Sequence, residues 1–165
     1  MEKKTYRSRI SVLYVLMFGS LLFLGWYIIK TTGDSVGLII SGIIAVWSIF
    51  AFRSIRYVLT EKEIQFHYLW GIRGKIYISA IASIERSYNP FNALAASMKR
   101  LHFHFKKGYK WHVYFSNSPF LVIILPSISP VREQEFLETL KIINPNIQIN
   151  VSDKKGWWRF WDWDI

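Results

Sequence analysis

The order of apolar and polar positions splits the chain into two parts. From Ile10 to Ile29 twenty residues pass without a charge, ISVLYVLMFGSLLFLGWYII. A helix of that length extends about 30 Å, the thickness of a bilayer's hydrocarbon core. A second uncharged run, Ser35 to Phe52, has eighteen residues. Between them Lys30-Thr31-Thr32-Gly33-Asp34 has room only for the turn of a helical hairpin. Core helices of soluble proteins are rarely apolar on every face over such lengths. The first run is also too long for a secretory leader and is followed by no small-residue cleavage site. The pattern predicts a transmembrane hairpin over residues 10–52. Lys3, Lys4, Arg7 and Arg9 precede it, Arg53 and Arg56 follow it, and its turn carries one Lys and one Asp. Basic flanks stay in the cytoplasm, so both termini are expected there. Trp26 and Tyr27, at the far end of the first run, are expected at the membrane interface. Gly37, Ser41 and Gly42 on the second run, with Gly19 and Ser20 on the first, offer small surfaces for close helix approach. No ionisable side chain lies inside either run, which argues against a proton or ion pathway.

After Arg53 the period changes from all-apolar to two. Tyr57–Thr60 is β-branched and aromatic. Ile64, Phe66, Tyr68 and Trp70 alternate with Gln65 and His67, and Ile76 and Ile78 flank Tyr77. A further strand is expected over Ala82–Tyr88, with turns at Glu61-Lys62 and Gly71–Gly74. Arg100–Lys106 and Lys110–Ser116 are two more alternating segments. A three-residue loop at Lys107-Gly108-Tyr109 would set Phe105 against Trp111, Phe103 against Val113 and Leu101 against Phe115, all apolar residues on one face. A seventh strand is expected at Phe120–Leu125. Ser129-Pro130 then has the residue types of a helix start. In VREQEFLETLKII, Phe136, Leu140 and Ile143 form a stripe joined by Leu137, with Glu133, Glu135 and Glu138 early and Lys141 late, as the helix dipole favours. Asn144-Pro145-Asn146 ends it. Seven antiparallel strands and one closing helix make an α+β barrel or curled sandwich.

Composition narrows the function. The net charge is +10, and residues 53–165 carry sixteen basic against nine acidic side chains. A surplus this large points to an acidic partner, and tethering at an anionic leaflet accounts for it without nucleic acid. The absence of Cys excludes disulfides and thiolate chemistry. His102, His104 and His112 share one face in the register above. They lack a visible carboxylate companion, so solvent-facing histidines are preferred to a metal site. No hydrolase, metalloprotease, P-loop or dinucleotide motif occurs, and no cofactor is expected. The last residues, KKGWWRFWDWDI, hold Trp157, Trp158, Trp161 and Trp163. They are candidates either for the membrane interface beside Lys154, Lys155 and Arg159 or for packing on the domain or a partner.

The stretch IYISAIASIERSYNPFNALAASMKRLHFHF, with SP before EFLETLKIINPNI, resembles the bacterial pleckstrin-homology-like (PH-like) domain of the YyaB-like type. The likeness runs from about Tyr57 to Ile149. The resemblance implies a PH-like barrel of seven strands plugged by a C-terminal helix and preceded by two membrane helices. That family includes an immunity protein against the bacteriocin sublancin. It supplies no catalytic residue. Phosphoinositide-binding relatives place basic residues around the first hairpin; here that turn is Glu61-Lys62, and headgroup recognition does not carry over. The expected organisation is a basic N-terminus at 1–9, the hairpin at 10–52, the PH-like domain at 53–151 and the Trp-rich tail at 152–165. The expected role is a non-enzymatic adaptor at the cytoplasmic face of the cell membrane, with the bilayer and another membrane protein as partners; bacteriocin immunity is one version. The alternative is an accessory or regulatory subunit of a membrane enzyme or transporter. Membrane-interface candidates are Trp26, Tyr27, Arg53, Arg56 and the four tail tryptophans.

Overall fold

The computed structural model describes residues 3–33, 35–68, 72–88, 97, 99–109, 113–115 and 126–152. A short strand β1 (Lys4–Arg7) leads into helix α1 (Val12–Thr32), and helix α2 (Val36–Arg53) returns to strand β2 (Arg56–Leu59). The predicted hairpin is present, with its first helix shifted toward the turn. Thr31 and Thr32 donate their hydroxyls to the carbonyls of Tyr27 and Ile28, so the helix continues through both. Gly33 then ends it at φ 73°, a left-handed conformation that suits glycine. Both helices are long and apolar enough to cross a membrane, and only 6% and 11% of their apolar windows are buried. Phe23, Ile43 and Phe50 all project outward. A buried core helix shows the opposite pattern.

The helices touch through part of the expected set of small residues, Gly37 and Ser41, and through Gly25, which was not in it. A Cβ added to Gly25 would collide with Ser41 Oγ and lie 3.1 Å from Leu38 Cα, while Gly19 and Gly42 face open space. Ser41 is buried at the crossing and Gly37 meets Ile28. Gly25 was hidden in the sequence among larger neighbours, where nothing separates it from an incidental glycine.

Strands β3 (Glu63–Tyr68) and β4 (Ile72–Tyr77) follow, then a one-turn 3₁₀ helix (Ile78–Ala80) that redirects the chain into β5 (Ile81–Ser87). The remaining elements are β6 (Arg100–Phe105), β7 (Val113–Phe115), β8 (Ser127–Ile128), helix α3 (Glu133–Ile143) and β9 (Gln148–Asn150). The strands form two sheets, ordered β1-β2-β3-β4-β7 and β8-β6-β5-β9. This corrects the expected seven-stranded antiparallel barrel. Nine strands are present among the described residues, and β9 runs parallel to β5. The strands that the sequence pattern missed, β1, β8 and β9, are four residues or fewer. Alternation is unreadable over so short a span. The expected strand at Phe120–Leu125 lies outside the described residues.

The expected β6–β7 hairpin is also corrected. Phe103 pairs with Ile84 of β5 and Leu101 with Ile128 of β8, so β6 has neighbours on both edges. β7 instead pairs with β4, Phe115 opposite Ile72. The turn at Lys107–Tyr109 does form, with Gly108 at φ 92°. A third correction concerns α3, which begins at Glu133 rather than at Ser129-Pro130. Ser129 is wholly buried and committed elsewhere: its N–H donates to Tyr57 Oη, its carbonyl accepts from the Arg9 N–H, and its hydroxyl bonds Ser8 Oγ.

The inner faces of both sheets meet in one core. Tyr6, Tyr57, Leu59, Ile64, Phe66 and Ile76 come from the first sheet, and Ile81, Ile84, Leu101, Phe103 and Ile128 from the second. α3 lays Phe136 and Leu140 into it, the stripe that the 3.6-residue period predicted. Burial of these apolar side chains, each worth roughly 1.5–3 kcal/mol, is the main favourable term of the domain.

Candidate functional site

The topology places the helical hairpin between two neighbouring strands. β1 enters it and β2 leaves it, and the two pair antiparallel as Lys4↔Leu59, Thr5↔Val58, Tyr6↔Tyr57 and Arg7↔Arg56. Both ends of the hairpin are therefore stapled to one edge of the sheet. Side chains opposite each other in an antiparallel ladder share a face. Tyr6, Tyr57 and Phe66 point inward in one row. The adjoining row, Arg7, Arg56, His67 and Arg73, points outward across four strands. At about 4.8 Å per strand it extends roughly 15 Å. None of its three arginines makes an ion pair among the described residues. His67 is held below the usual imidazole range by partial burial and then by the charges of Arg73 and Arg56. The row borders the hairpin base, where Arg53 ends α2 and is itself exposed.

Under this rim lies a buried polar junction. Arg100 is only 1% exposed. Its Nε donates to the Ser97 carbonyl (2.5 Å) and its Nη2 to Tyr14 Oη (3.2 Å), so a residue of the second sheet grips the first turn of α1. Beside it, Tyr57 Oη donates to Ser8 Oγ (3.1 Å) and accepts from the Ser129 N–H. Burial raises the Tyr57 phenol above its ordinary range, partly offset by these bonds to Ser8 and Ser129. Burial likewise lowers Arg100. The network ties the hairpin to both sheets. Among the described residues it contains hydroxyls and a cation but no base aligned on a nucleophile.

The sequence-named residues separate into two groups. Arg53 and Arg56 stand at the hairpin base. Trp26 and Tyr27 stand about 20 Å away along α1, more than a turn short of its far end at Thr32, 48% and 53% exposed. The two groups do not form one site. Trp157, Trp158, Trp161 and Trp163 lie outside the described residues. Arg7, His67, Arg73 and Arg100 were missed. The first three meet only through strand register, and Arg100 has the residue type of a surface position.

His102 and His104 lie side by side, their ring centroids 4.9 Å apart. His102 Nδ1 bonds Ser127 Oγ (2.8 Å), and His104 Nε2 meets Glu85 Oε2 at 3.1 Å, a carboxylate supplied by the neighbouring strand. His112 lies outside the described residues. No cluster of three or more metal-ligating side chains occurs among the described residues. Burial, and then neighbouring His104, lower the His102 pKa from 6.5, with Glu85 acting against them. The fold thus prefers neutral His102, while the unfolded chain takes up a proton as pH falls through 6.5. Stability is present above that value and declines below it. Acidification from about pH 7 to about pH 5 should destabilise the full chain in detergent, and His102→Gln should flatten that decline by less than ~1 kcal/mol, since the ring is only partly buried. Thermal unfolding at both pH values checks it.

Comparison with known proteins bears on the sheets alone. No curated protein and no solved structure matches the chain. The family described as bacterial PH domain matches residues 55–116, the stretch that holds β2 to β7. Residues 55–116, which hold most of the first sheet and the start of the second, are accordingly similar to a bacterial PH domain.

Proposed function

We propose that the chain is a membrane-anchored binding or adaptor module without catalytic activity, its PH-like domain held at the cytoplasmic face of the bacterial membrane and both termini in the cytoplasm. The observation that carries this reading is the β1–β2 pairing around an uncharged, outward-facing apolar hairpin. One strand pair brackets both helices, so the chain on either side of the hairpin lies on one side of the bilayer. The exposed Arg7, Arg53, Arg56 and Arg73 at that end fit an anionic leaflet, each worth about 1 kcal/mol near its surface. Trp26 and Tyr27 fit the opposite interface. The Trp-rich tail beside Lys154 and Lys155 has the residue types of a further contact with lipid or partner. Immunity to a bacteriocin, implied by the family resemblance, is one role that such a module fills.

The test is extraction and protection. The full chain should stay in the membrane pellet in alkaline carbonate. Trypsin should digest its sheets in inverted vesicles and spare them in intact cells. Release by carbonate, or digestion from outside, overturns the reading. Purification in mild detergent then distinguishes an adaptor from a regulatory subunit, which would bring an enzyme or transporter in fixed ratio.

A further inference from the structure

Between α1 and α2, at the end that meets the sheets, lies a groove of about 510 Å³. That volume is within the roughly 300–1,000 Å³ of small-molecule sites. Its two ends differ in chemistry. Arg7 and Arg53 stand at the mouth with Ser8 and Tyr14, and no acidic residue lines it. Away from the mouth the walls are apolar, with Phe18 and Leu22 on one helix and Ile49 on the other. From Arg53 to Ala45 the groove runs about 12 Å along α2 at 1.5 Å per residue. One leaflet of hydrocarbon is about 15 Å deep, half of the ~30 Å core. Gly19 lines the groove, and a Cβ added there meets nothing within 4 Å. The space is therefore not taken up by packing within the hairpin.

We infer that this groove holds one anionic glycerophospholipid of the surrounding leaflet, its phosphate between Arg7 and Arg53 and one acyl chain along Phe18, Leu22 and Ile49. The inference rests on the membrane-anchored reading above. An amphiphile is the occupant that matches a cationic mouth over an apolar trough, and basic pockets between membrane helices on the cytoplasmic side bind anionic headgroups. A helix from a second copy would leave both arginines without a counter-charge. A bound lipid would also touch Tyr14, the α1 residue that Arg100 grips, so occupancy is felt by the sheets.

The experiment uses the full chain in phosphatidylcholine vesicles doped with phosphatidylglycerol carrying a photoreactive group on one acyl chain, with adducts located by mass spectrometry. Adducts should concentrate on Phe18, Leu22 and Ile49 over the outward Phe23, Ile43 and Phe50. Gly19→Trp should remove the groove adducts and leave the outward ones. Arg7→Gln with Arg53→Gln should lower groove labelling by about fivefold per arginine, while labelling by an equivalent phosphatidylcholine probe stays unchanged. Equal labelling around both helices, equal groove labelling by the two headgroups, indifference to Gly19→Trp, or chain-to-chain adducts at the groove would each overturn the inference. Carbonate extraction of the same vesicles separates the two failures. A chain that washes off refutes the anchored reading, and one that stays without selective labelling refutes the lipid site alone.

Discussion

Tyr6→Ala is expected to cost the sheet domain about 3–5 kcal/mol, the range for truncating a buried aromatic side chain, although the residue sits six positions from the start of the chain. Tyr6 is 1% exposed. Its ring meets Phe136 of α3 edge-on, centroids 5.2 Å apart at 88°. Its hydroxyl reaches Glu135 at 3.5 Å, and Arg132 covers the ring at 5.5 Å. Truncation opens a cavity where the first sheet, α3 and the hairpin base converge. Thr5→Ala is the control: Thr5 is exposed on the same strand, and its loss should stay within about 0.5 kcal/mol. Pulse proteolysis of the full chain in detergent across a urea series reads both. Equal sensitivity of the two variants would mean that β1 contributes nothing to the core, and the stapled hairpin would fall with it.

The contrast between the hairpin and β1 shows what a sequence displays. Two uncharged runs identify α1 and α2 because every residue in them reports the same solvent. α3 is legible because Phe136, Leu140 and Leu137 repeat at helical spacing. β1 has one inward residue, Tyr6, and its partner Tyr57 lies some fifty positions away, across the whole hairpin. No local pattern encodes such a pairing. The β6–β7 register failed for a related reason. Phe103 and Leu101 satisfy alternation against any strand with the same parity, and Ile84 and Ile128 supply it as well as Val113 and Phe115 do. Period two fixes which face a residue takes, not which strand lies beside it. The candidate site was legible in part for the same cause. Arg53 and Arg56 adjoin an apolar run and announce themselves. His67 and Arg73 join Arg56 only once β2, β3 and β4 are in register. Arg100 is a cation where the residue type predicts solvent.

The second large effect concerns Glu133. Arg86 and Glu133 form a two-pronged pair, Nη1–Oε2 at 2.7 Å and Nη2–Oε1 at 2.5 Å, with side chains only 5% and 11% exposed. Arg9 adds a third charge, its Nη1 3.9 Å from the same carboxylate. Glu133 is also the first residue of α3, where the helix dipole favours an anion. One carboxylate thus joins β5, the closing helix and the segment entering the helical hairpin. Breaking such a buried pair costs about 3–5 kcal/mol, because a desolvated charge loses its counter-charge. Glu133→Gln should reach that range and exceed Arg86→Met, since it strips the carboxylate from two arginines at once. Replacing both partners with apolar residues, Arg86→Met with Glu133→Leu, should recover most of the loss, as it removes the buried charges together. Adding Arg9→Gln to the double variant should change stability by less than about 1 kcal/mol, because the Arg9 guanidinium that bonds the Val131 carbonyl is partly exposed. Urea unfolding of the four variants in one detergent measures the cycle. If Glu133→Gln were as stable as the parent chain, α3 would not be held to β5 and the hairpin base through this carboxylate, and the link between the helical hairpin and the closing helix would rest on β1, through Tyr6 against Phe136.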